Sequence, residues 1–149
     1  FQACVKSECD KQARQTFTFD QEAVTIEEVL RSTALQFTTF LLDDASIELF
    51  RIAFSEVRRF PDIGHEFYDS GPGPAHQRLS QMLKDASDRG ELNIDNPDLA
   101  AEQFTELCRA DIFLKRMLGV KTSVTPQEIE QIANAVVTFF MRAYGPSRS

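Results

Sequence analysis

The stretch FRIAFSEVRRFPDIGHEFYDSGPGP, Phe50 to Pro74, decides the fold. An apolar helical pattern runs into Arg58-Arg59-Phe60-Pro61, continues through a short aromatic segment, and stops at Gly71-Pro72-Gly73-Pro74. Pro61 disfavours helical geometry at Phe60, so the helix bends or breaks there. Arg58 and Arg59 suit the carbonyl end that precedes it. Upstream, Ile47, Phe50, Phe54 and Val57 line one face of a helix over residues 45–60, and Leu49, Ile52 and Phe60 line another. A helix apolar on two sides is expected to be central rather than peripheral.

Working outward, residues 25–42 begin with Thr25 three positions before Glu28, the capping-box pattern. Ile26, Val29, Leu30, Thr33, Phe37, Phe40 and Leu41 then form one stripe, and Asp44 is placed to cap the next helix. Beyond Pro74, Leu79, Met82, Leu83 and Ala86 repeat at helical spacing up to Arg89-Gly90, with Gly90 as the terminator. Asn96-Pro97 combines an N-cap with proline at the first helical position. The pattern predicts one unbroken helix from Pro97 to Leu118, about 33 Å long at 1.5 Å per residue. Thr125-Pro126 opens the last helix, which reaches Tyr144. At the other end, Phe1, Val5 and Cys9 share a face, so residues 1–16 read as the tail of a longer helix. No strand pattern occurs. The expected fold is all-α, an antiparallel bundle of about six helices forming one domain over residues 1–149.

Charge and cysteine usage narrow the partners. Sixteen Lys and Arg against 23 Asp and Glu leave a net charge of −7. A chain of that sign is poorly suited to gripping nucleic acid, whose affinity rests on neutralising phosphates, or an anionic membrane. The partners expected are small molecules or proteins. Cys4, Cys9 and Cys108 are odd in number and match no metal or disulfide spacing, which fits the reduced thiols of a cytoplasmic protein. His65 and His76 have no second ligand at metal spacing, and nothing in the sequence brings either beside Cys108 as base and nucleophile. No metal, no cofactor and no catalysis are expected.

Thirteen Phe and no Trp is the compositional peculiarity. Each Phe can be plain core packing. The alternative is that several line an apolar cavity of the kind that takes a small molecule. On that reading the wall is Phe37, Phe40, Phe54, Val57, Phe67, Met82, Phe104, Leu107 and Cys108. Asp111 falls on the same stripe, either paired with Lys115 one turn on or serving as a polar anchor. The last two helices carry more apolar surface than one neighbour can cover. They are expected to form a four-helix dimer interface through Leu114, Ile129, Ala133, Val136, Phe140 and Tyr144.

With those residues in view, the chain resembles the C-terminal part of the tetracycline-repressor (TetR/AcrR) family, in particular its AefR-like C-terminal domain. The likeness lies in Arg51 to Phe67 (RIAFSEVRRFPDIGHEF), the Gly71-Pro72 break, and Arg89 to Phe104 (RGELNIDNPDLAAEQF), while the opening FQACV is similar to the family's fourth helix. The resemblance implies a one-component regulator, a homodimer released from DNA by a hydrophobic effector. Its DNA-binding helix-turn-helix head is expected to be missing from this chain. The effector would sit among helices 25–42, 45–60, 74–89 and 97–118 and favour one tilt of the helix at residues 1–16. A helical dimerisation module with no small-molecule ligand is the alternative.

Overall fold

A computed structural model describes residues 25–146, and these contain seven helices and no strand. They are α1 (Ile26–Leu42), α2 (Asp44–Glu56), α3 (Pro61–Ser70), α4 (Pro72–Asp88), α5 (Pro97–Arg109), α6 (Ile112–Met117) and α7 (Pro126–Tyr144). The helix expected over residues 1–16 lies outside the described residues.

The start signals at Thr25, Asn96 and Thr125 act as expected, whereas Asp44, expected as a cap, is the first residue of α2 and Asp43 before it makes no side-chain cap bond. Thr25 Oγ1 accepts from the Glu28 amide and Asn96 Oδ1 accepts from the Leu99 amide, each satisfying a donor that a helix leaves free in its first turn. Thr125 goes further and forms a complete capping box with Glu128. The opening stretch breaks where its proline requires. Phe60 leaves the helical region (φ −129°, ψ 82°) and Pro61 is the first residue of α3. Gly64 allows the turn to close, because a Cβ there would stand 3.0 Å from Val57 Cγ2. The Gly/Pro cluster interrupts less than its composition suggests. Only Gly71 is outside a helix, and Pro72 and Pro74 occupy the first turn of α4, where the missing N–H is not needed.

Two expectations are corrected. The central helix is α1, which packs against α2, α5, α6 and α7, whereas α2 meets chiefly α1, α3 and α6 at one end of the bundle. Ile47, Phe50 and Ala53 are therefore buried, and the second apolar face of α2 is left outward. The helix predicted from Pro97 to Leu118 is broken at Ala110-Asp111 into α5 and α6. Its pattern is continuous, but the second part is held by contacts far away in sequence.

The core divides in two. The larger part joins Leu30 and Ala34 of α1, Leu79, Met82 and Leu83 of α4, Phe104 and Cys108 of α5, and Ala133, Val136 and Phe140 of α7. The smaller joins Leu41, Leu42, Ile47, Phe50 and Phe113 at the α1–α2 corner. Phe37 and Ile132 pack against both. Full burial of a Phe or Leu side chain contributes about 1.5–3 kcal/mol, so the larger part dominates the stability.

Candidate functional site

The sequence-predicted wall residues separate into three places. Phe37, Met82, Phe104 and Cys108 converge in the larger core, with Phe104 meeting Phe140 edge-on at 5.3 Å. Phe37 is half-buried at the seam between the two core parts, and Phe40, on the same helix, is also half-buried. Phe67 sits by the smaller core, its ring 5.3 Å from Phe50. Phe54 and Val57 are not in an interior wall: although they continue the line of Ile47 and Phe50, they are 57% and 37% exposed, because that face is covered only along the first part of α2. Leu107 borders the larger core from outside. Asp111 turns outward and pairs with Lys115 at 2.8 Å, so it anchors nothing inside the bundle.

Two interior polar groups escaped the sequence reading. Thr38 is fully buried and Ser46 1% exposed, yet neither hydroxyl finds a hydrogen bond of normal geometry. Most buried hydroxyls have a partner, so each such group calls for an explanation. Thr38 lies beside the Cys108 thiol, whose proton is held tightly. Burial pushes the thiol up to about 12, and the neighbouring Thr38 hydroxyl offsets part of that rise. Such a thiol is a packing group, not a nucleophile. A signal for Thr38 was present, since Leu30, Ala34 and Thr38 follow one another at i, i+4 on the buried line of α1.

The outer surface has its own geometry. A groove of about 440 Å³ runs between α5 and α7, lined by Gln103, Glu106, Leu107, Ala110, Phe139, Phe140, Ala143 and Tyr144. Tyr144 closes one side by donating to Gln103 Oε1. Of the residues expected at a dimer interface, Ala133, Val136 and Phe140 face inward against their own chain, at 0%, 4% and 1% exposure. Ile129 and Tyr144 are half-buried, and Leu114 is outward at 58%. The outward apolar positions missed by sequence are Phe139, at 61%, together with Leu118 and Val120 after α6. The second half of α7 is apolar on nearly every side, so only packing distinguishes inward from outward.

A second open groove, of about 480 Å³, lies where Leu42, Asp43 and Asp44 meet Arg116, Val124 and Ile129. Arg116 is 5% exposed. Its Nε and Nη2 donate to the Leu42 carbonyl (3.3 and 2.9 Å), its Nη1 to the Thr122 carbonyl (2.8 Å), and its Nη2 also to Asp44 Oδ1 (2.7 Å). It ties the end of α1 to the loop before α7. Among the described residues no group of three or more His, Cys, Asp or Glu is placed to hold a metal.

Comparison with known proteins agrees with this architecture. Residues 28–146 match the family described as “AefR-like transcriptional repressor, C-terminal domain”. None of the curated proteins matches. Among solved structures, the chain is similar to the “Flavonoid-responsive Regulator FrrA”, with 31% identity and a TM-score of 0.85 over 99% of this chain and 74% of that one. A “putative TetR-family transcriptional regulator” from Mesorhizobium loti is 21% identical, with a TM-score of 0.80 over 97% of this chain and 69% of that one. Another, from Pseudomonas syringae pv. tomato, is 18% identical, with a TM-score of 0.70 over 94% and 72%. The last two establish likeness of fold alone. Together with the matched family over most of the described helices, the all-α bundle places this chain in the TetR family of transcriptional regulators, to whose AefR-like C-terminal domains it belongs.

Proposed function

We propose that the chain is the effector-binding and subunit-docking part of a one-component regulator, a repressor released from its operator by a hydrophobic small molecule. The observation that carries this reading is the Thr38 hydroxyl, fully buried, without a hydrogen bond of normal geometry and with only the Cys108 thiol beside it, next to a core that includes Phe37, Phe104 and Cys108. Apolar walls with few polar groups are the usual make-up of a small-molecule site, and a buried hydroxyl held only by a weak thiol contact supplies the group that orients a ligand. Similarity to a regulator named as flavonoid-responsive supports a flat, phenol-bearing effector class. The net charge of −7 supports leaving DNA to a basic helix-turn-helix domain outside these residues. Two copies would meet across the outward apolar surface of Leu107, Leu114 and Phe139. No helix among the described residues is long and apolar enough to cross a membrane, and the regulator is proposed to act in the cytoplasm by binding rather than catalysis.

Effector binding would shift the population between two arrangements by its differential affinity for them. The segment of residues 1–16, outside the described residues, is the proposed output. Thermal melting with flavonoid aglycones and long-chain acyl compounds tests the proposal. At a hundred times its dissociation constant a ligand stabilises by about 2.7 kcal/mol, which for a domain of this size raises the melting temperature by roughly 5–10 °C. Thr38→Val should abolish or weaken that shift.

A second reading is favoured by the open form of both described grooves and by the outward Phe54 and Val57. On it the chain is a dimerisation module whose effector is another protein. A stable dimer that no compound of either class stabilises would select this alternative.

A further inference from the structure

The junction between α5 and α6 runs against its own sequence pattern. Residues from Pro97 to Leu118 are patterned as one helix, yet α5 stops at Arg109. Asp111 has φ 59° and ψ −50°, and the Ile112 amide donates to the Ala110 carbonyl at 2.6 Å. This is a γ-turn of the strained hand. Asp111 is the only non-glycine residue with positive φ among the described residues. Such a conformation persists only where the surroundings over-determine it.

Here the surroundings hold each side separately. Upstream, Phe104 and Cys108 fix α5 in the larger core. Downstream, Phe113 enters the smaller core edge-on to Phe50 at 5.1 Å, and Arg116 reaches the Leu42 carbonyl. Arg51 of α2 caps the end of α6, donating to the carbonyls of Arg116 (2.9 Å) and Met117 (3.3 Å). Across the turn itself, the Arg109 guanidinium lies 4.2 Å from the centroid of the Phe113 ring.

We propose that the Ala110–Asp111 turn is a sprung joint between two packing units. It is bent while α6 is clamped at the α1–α2 corner, and driven towards one continuous α5–α6 helix when the clamp loosens. Leu107 and Ala110 lie before the joint and Leu114 after it, so its angle shapes the outward apolar surface. The joint itself depends on neither the effector nor the dimer.

Three variants of the full 149-residue chain test this. Asp111→Gly and Asp111→Ala both lose the Lys115 ion pair, so their difference reports the backbone alone. In a bent joint glycine relieves the positive φ, and D111G should melt above D111A. In a continuous helix alanine is preferred, and the order reverses. Arg51→Ala loosens the clamp from a half-exposed position, so the fold should survive. Hydrogen exchange then reads the amides of residues 112–114, which a continuous helix would bond to the carbonyls of residues 108–110. The expected result is D111G above D111A, with slower exchange at residues 112–114 in D111A and R51A than in the parent. D111A melting above D111G would overturn the bent joint. The expected melting order with unchanged or faster exchange in both D111A and R51A would overturn the spring, leaving a static turn.

Discussion

Replacing Arg116 with Met separates two explanations for how the α1–α2 corner is held. The guanidinium has a carboxylate partner, Asp44, but that side chain is 90% exposed whereas the arginine side chain is 6% exposed. An ion pair with one partner in water is screened and contributes at most about 1 kcal/mol. The carbonyl contacts are different. Leu42 accepts two bonds from the arginine in a buried setting, and Thr122 accepts a third. A buried acceptor left without a donor costs about 1–3 kcal/mol. Water can reach the exposed Thr122 segment, so Arg116→Met should cost about 2–4 kcal/mol in all, with the methionine retaining much of the packing. Asp44→Asn removes only the ion pair and its favourable place in the first turn of α2, and should cost under about 1 kcal/mol. Urea unfolding measures both, provided the slope of free energy against urea is unchanged. Equal losses in the two variants would refute the reasoning, because the exposed ion pair would then carry the corner.

Adjacent phenylalanines on α7 should behave in opposite ways. Phe139→Glu changes an outward residue and should leave the fold intact while splitting the proposed dimer in sedimentation; Phe140→Ala empties a core position and should cost about 3–5 kcal/mol in unfolding experiments. Thr38→Val removes a buried hydroxyl that has no hydrogen bond of normal geometry and should raise stability by about 1 kcal/mol while lowering effector affinity, a combination that chemical unfolding and thermal shifts detect together. Cys108 predicts an alkaline effect. Its thiol is held near 12 in the fold and near 9.0 unfolded, so the native state keeps a proton that the unfolded state loses. Stability should therefore fall between those pH values, by about 1.4 kcal/mol per pH unit, and Cys108→Ala should remove that slope. Below pH 9 the group should contribute no pH dependence.

The helical architecture was legible because the local signals agreed with it. The caps at Thr25, Asn96 and Thr125 and the proline at Pro61 each act through neighbours a few residues away. The break at Ala110–Asp111 was not legible, since it depends on Phe113 and Arg116 finding partners at Phe50 and Leu42. Periodicity likewise identified α2 and α7 as apolar on more than one side without saying which side meets the bundle. That ambiguity placed Phe54 and Val57 inside and assigned Ala133, Val136 and Phe140 to the outside. Thr38 stands outside the stripe read through Thr33, Phe37 and Leu41, and only its burial without a hydrogen bond of normal geometry makes it a candidate site residue.

The central claim, that the core binds an apolar effector oriented by Thr38, is met most directly by titration calorimetry of the chain with flavonoid aglycones at several temperatures. The account predicts one site per chain with a negative heat-capacity change, the mark of apolar surface leaving water, and a weaker or absent signal in Thr38→Val. Binding with no heat-capacity change, or with equal strength in Thr38→Val, would contradict it.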